Sequence, residues 1–72
     1  MIEKQCAVDI RELALKAISD LSEILMISRG RCSIDDYERI KKGVGLCIGG
    51  IQIDILDVIN AVYPELDTLE KG

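Results

Sequence analysis

Residues 33–62 read SIDDYERIKKGVGLCIGGIQIDILDVINAV, and the fold turns on whether this stretch is one long helix or two short strands around a glycine pair. Tyr37, Ile40, Val44, Cys47, Ile51, Ile55, Val58 and Val62 recur at steps of three and four. That spacing places them on one helix face and makes them the expected packing interface. The same stretch also alternates every second residue on either side of Gly49-Gly50, as a β-hairpin at 44–55 would. A lone two-stranded hairpin is barely stable in water, whereas the helical stripe begins before the glycines and continues past them. The reading is therefore a helix over about 34–62, with an α+β fold containing the hairpin as the alternative.

A helix must then account for Gly43, Gly45, Gly49 and Gly50, since an interior glycine costs about 1 kcal/mol relative to alanine. Gly45 and Gly49 lie four apart on one side, while Gly43, Cys47 and Gly50 line another. Small residues so spaced let two backbones approach, a device best documented in membranes. The four glycines are expected at a close helix contact.

Upstream, Cys6, Ile10, Ala14, Ala17, Leu21 and Ile24 form an apolar stripe over about residues 3–28, widened by Leu13, Ile18 and Leu25. The opposite face carries Asp9, Glu12, Lys16, Asp20 and Glu23, and Glu12 to Lys16 has the spacing and order of a favourable intrahelical ion pair. Gly30 suits the left-handed conformation that ends helices, and Ser33 followed by Asp35, Asp36 and Glu38 reads as a capped helix start. A turn at 29–33 makes the two helices antiparallel neighbours. Pro64 ends the second helix. A short turn is expected at 64–69, with Leu66 and Leu69 folding back and Glu70-Lys71-Gly72 fraying.

These elements make one all-α domain, residues 1–72, in the size range where a single core is marginal. Apolar residues make up 49% of it, yet Tyr37 and Tyr63 are the only aromatics. Leu46, Ile53, Leu56 and Ile59 form a second apolar surface on the long helix. One partner helix covers one stripe, so the hairpin is expected to dimerise into a four-helix bundle, with Gly43 to Gly50 at the crossing.

The net charge of −4 argues against nucleic acid, whose non-specific binding is driven by basic residues displacing counterions. Arg29, Arg31, Arg39, Lys41 and Lys42 gather near the turn, whereas five acids and only Lys71 follow Gly43. Cys6, Cys32 and Cys47 contain no Cys-x-x-Cys pair and histidine is absent, so neither a zinc site nor a disulfide framework is expected. Cys32 is the expected exposed thiol, and Cys47 a small hydrophobe on the apolar face. Glu3 and Asp9 interrupt any signal-peptide pattern, and the uncharged run from Gly43 to Ile53 is shorter than the ~20 residues of a membrane span. A cytoplasmic location with no membrane partner is expected.

Gly43-Val-Gly45 lacks the rest of any nucleotide-binding fingerprint, so no cofactor is assigned. Asp54 and Asp57 stand three apart but have no glutamate-x-x-histidine partners to complete a metal site. Catalysis by Cys32 or Cys47 would need an activating base, so no enzyme activity is expected. The remaining reading is a small homo-oligomeric interaction or regulatory module with a further protein partner. The alternative is a carrier of small apolar ligands with a pocket at the glycine-rich crossing, lined by Ile48, Ile51 and Gln52.

Overall fold

The structure, a computed structural model, describes residues 1–68, and every regular element among them is helical. The chain is all-α. Helix α1 spans Lys4–Ser28, α2 spans Ile34–Ile51, α3 spans Asp57–Val62 and α4 spans Pro64–Thr68. A π-helical segment, Gln52–Leu56, joins α2 to α3 without a break. This corrects the β-hairpin alternative at 44–55: the helix pairs its backbone groups internally, while a hairpin here would have no third strand to stabilise it. The expected positions of Leu69 and of Glu70-Lys71-Gly72 lie outside the described residues.

Local chemistry accounts for the connection between α1 and α2. Arg29 (φ −60°, ψ 123°) and Gly30 (φ +75°) match the centre of a type II turn, in which the third residue must tolerate positive φ. Arg31 N–H donates to the Ser28 carbonyl at 3.0 Å and closes it. Ser33 Oγ then accepts from Asp36 N–H at 3.1 Å, and Asp35 and Asp36 sit in the first turn of α2, where the helix dipole favours negative charge.

After this reversal α1 packs against α2, the π segment and α3. Among the described residues the buried apolar side chains are Ala7, Ala14, Val44, Leu56, Ile59 and Leu66. Ile2, Val8, Ile10 and Tyr63 pack around the Ala7, Ile59 and Leu66 cluster. Two polar contacts fasten that end: Tyr63 Oη–H donates to the Ile2 carbonyl at 2.7 Å, and Lys4 Nζ lies 3.1 Å from a Glu65 carboxylate oxygen.

The π segment changes which residues are inside. Asp57 N–H donates to the Gln52 carbonyl five residues back, so the segment takes one more residue per turn than an α-helix. Val44 is buried and Tyr37, Ile40 and Ile51 are half-buried, but beyond the insertion the buried positions are Leu56, Ile59 and Leu66. The step from Ile51 to Leu56 is five, so the stripe does not run in register to Val62. Ile55, Val58 and Val62 are instead partly exposed, and Leu56 and Ile59 belong to the core rather than to a second surface. Leu46 and Ile53 do stay exposed, as does Cys47, which is not buried as a small hydrophobe within the chain.

One smaller expectation is also corrected, and the glycines can be placed within the single chain. Lys16 Nζ pairs with Asp20 at 2.9 Å rather than with Glu12. A Cβ built on Gly43, Gly45 or Gly49 would meet nothing within 4 Å, and one on Gly50 only an Asp54 carboxylate oxygen at 3.9 Å. Within one chain these glycines make no close contact, because the α1-facing side of α2 is occupied by larger residues such as Val44 and Ile51.

The molecule is elongated, 45 × 20 × 19 Å, with a radius of gyration of 14.8 Å. A compact chain of this length would have about 11 Å.

Candidate functional site

An apolar groove of about 280 Å³ runs along one side of the molecule, where α1 meets the end of α2 and the π segment. Ile10, Leu13, Ala14 and Ala17 form one wall, and Ile51 and Ile55 the other. Helical spacing explains the α1 wall, since positions 10, 13, 14 and 17 share one face. The π insertion explains the other wall: it carries Leu56 into the core and leaves Ile55 at the groove edge. Shape also contributes, because the small side chains of Ala14 and Ala17 leave space that larger residues would fill.

The surface around the groove is apolar well beyond it. Leu13 is 67% exposed on one lip, and Ile55, Val58 and Val62 are 39%, 47% and 43% exposed on the other side. Along α1, Ile24 and Ile27 follow Ala17 at seven and ten residues and are exposed as well. The expected interface residues therefore divide. Tyr37, Ile40, Val44 and Ile51 are buried or half-buried, while Cys47, Ile55, Val58 and Val62 are exposed. The pocket expected at Ile48, Ile51 and Gln52 is displaced; only Ile51 lines the groove, and Gln52 is exposed.

Charge plays little part in this site. No polar or charged side chain is buried among the described residues, and none of them form a cluster of three metal-binding side chains. Asp54 and Asp57 are exposed. The two perturbed groups lie in surface ion pairs. The Glu65 carboxyl is lowered first by a hydrogen bond from its own backbone N–H and then by Lys4, and the Lys16 ammonium is raised by its hydrogen bond to Asp20. Neither borders the groove.

No family model matches the chain, and no curated protein or solved structure is recognisably similar to it. The apolar side face is thus the feature from which function has to be argued. One further property of the same region is its length: the helical run Ile34–Val62 is long and apolar enough to cross a membrane, with a mean hydropathy of 1.5 over a stretch that is 17% buried. Sequence reading missed the groove because it depends on the angular shift at Gln52–Leu56, where no proline or glycine marks a change of helix type.

Proposed function

We propose that this protein is a homo-oligomeric interaction module whose helical hairpin pairs through the groove face with a second copy, forming a four-helix bundle. The observation that carries this reading is the surplus of exposed surface. The chain presents 5380 Å², whereas a compact monomer of 8.0 kDa would present about 4450 Å². The surplus of roughly 900 Å² is comparable with the ~800 Å² that each partner buries in a standard interface. Leu13, Ile24, Ile55, Val58 and Val62 supply apolar side chains for it. A second copy is the economical occupant, since a two-fold axis presents the same apolar face to itself.

A bilayer is a poorer occupant for the long helix. Asp54 and Asp57 would each oppose insertion by up to about 3 kcal/mol, whereas the nine Ile, Leu and Val residues from Val44 to Ile59 would recover roughly 3 to 5 kcal/mol in total. Gln52, Asn60 and the glycines tip the balance further against a span. The reading accordingly places the protein in the cytoplasm, without nucleic acid, metal or cofactor, as a regulatory or scaffolding component with a protein partner and no catalytic role.

Light scattering after gel filtration, in reducing buffer and over a range of concentrations, tests the proposal. A dimer is expected for the parent chain and a monomer for Leu13→Glu, which would place a carboxylate in the dry interface. A parent chain that stays monomeric at high concentration would refute it. The groove supports a second reading, a carrier of small apolar ligands, although about 280 Å³ lies at the lower limit of ligand pockets. A rise in melting temperature on adding short-chain fatty acids to the parent, absent in Ala14→Leu, would favour it.

A further inference from the structure

We infer that the π segment is a register switch: α4 holds the end of the long helix in one of two rotational positions, and releasing α4 turns Leu56 out and Ile55, Val58 and Val62 in. The switch belongs to the single chain and does not depend on the pairing of two copies. Two apolar sets compete for the same side of α1. Continued at about 100° per residue from Val44, an unbroken α-helix would bring Ile55, Val58 and Val62 to within about 40° of the Val44 direction and leave Leu56 about 120° away. The extra residue in the turn at Gln52–Leu56 sets everything beyond it back by about 100°, and Leu56 and Ile59 are buried instead. The set left partly exposed is the larger one, three aliphatic side chains against two. In the unbroken helix Asp54 and Asp57 would stand about 80° and 140° from the Val44 direction, so that position buries no carboxylate either.

What selects the π position lies beyond the helix. Leu66 is buried in one cluster with Ala7 and Ile59, Tyr63 Oη–H donates to the Ile2 carbonyl at 2.7 Å, and Lys4 Nζ lies 3.1 Å from a Glu65 carboxylate oxygen. All three contacts join the segment after α3 to the first residues of the chain. A turn of about 100° around the α3 axis would carry Tyr63, Glu65 and Leu66 away from Ile2, Lys4 and Ala7. These contacts are therefore made only in the π position, whereas the α position regains the ordinary helical hydrogen-bond pattern and places the larger aliphatic set inside. Packed interiors pass between discrete arrangements rather than deforming continuously, so α4 acts as a latch with two settings. Ile55 borders the groove, and Val58 and Val62 extend its apolar side. Unlatching withdraws that face from the surface, so a partner that draws α4 off α1 would switch it off.

Methyl NMR reads the register. In the parent chain the Ala7 methyl should show nuclear Overhauser contacts to Ile59. In Leu66→Ala these should give way to contacts with Val58 and Val62, while the backbone shifts of residues 52–62 stay helical. Isotope-filtered spectra of mixed labelled and unlabelled chains separate contacts within a copy from those between copies, so the result does not turn on whether the chain dimerises. Deleting Gln52 in the same variant removes the extra residue and should restore the Ile59 contacts, because the α phase then already turns Leu56 and Ile59 inward.

Ile59 contacts that persist in Leu66→Ala overturn the switch. So does loss of helical shifts from 57–62 without contacts to Val58 and Val62, which would mean that α3 frays instead of turning. Should Leu66→Ala fail to fold, Tyr63→Phe decides, since it loses one hydrogen bond and little packing. That variant should show both sets of contacts, with exchange on the microsecond-to-millisecond scale confined to the residues from Gln52 onward. Ile59 contacts alone, without such exchange, overturn the switch as well.

Discussion

Ile59 is the largest side chain that is fully buried, 1% exposed, and it sits where sequence periodicity had favoured Val58 and Val62. Ile59→Ala should destabilise the protein by about 2 to 5 kcal/mol, the range for deleting a buried aliphatic side chain. Val62→Ala removes a partly exposed side chain and should have a clearly smaller effect on the monomer. Urea denaturation of both variants at low protein concentration checks the contrast; equal losses would mean that the helix continues in α register through Gln52–Leu56. Gly49 offers a complementary test, since a Cβ there meets nothing and the residue lies within α2. Gly49→Ala should raise monomer stability by up to about 1 kcal/mol through helix propensity. Lower stability appearing only at concentrations where the chain dimerises would show that a partner backbone comes close to that glycine.

At the scale of elements, the π segment is a one-residue insertion, and removing one residue should restore the α-helical phase. Deleting Gln52, which is exposed, is expected to preserve helicity and keep the melting temperature close to the parent value. Inserting an alanine at the same place should lower both, because it would rotate Leu56 and Ile59 out of the core. The short α4 is held by different forces: buried Leu66, the Tyr63 hydrogen bond to the Ile2 carbonyl, and the Lys4–Glu65 pair. The carboxyl of Glu65 is lowered in the folded chain, so its contribution is present above the ordinary value of 4.5 and is lost as pH falls below it toward the folded value. Lys16 is the reverse: raised above 10.5 by Asp20, its contribution is present below that value and is lost as pH rises through the folded one. Both pairs are exposed, so the effects are small. Melting temperatures between pH 6 and pH 3 should fall less in Glu65→Gln than in the parent; parallel curves would remove Glu65 from the acid response.

For the whole molecule, size is the governing constraint. Six buried apolar side chains among the described residues make a thin core, and an elongated pair of helices leaves much of its apolar surface in water. The proposed self-association would remedy this without lengthening the chain, which is why the mass of the parent and of Leu13→Glu bears on stability as well as function. Periodicity alone determined that this chain is helical, because steps of three and four persist on both sides of the glycines and no third strand was available to support a hairpin. Gly30, Ser33 and Pro64 announced the breaks between helices through backbone rules that act within a few residues. The tertiary structure alone decided which apolar residues lie inside and where the groove opens. Those depend on the helix phase at Gln52–Leu56 and on which face α1 covers, and a π turn is stabilised by packing across the helix pair rather than by the residues it contains.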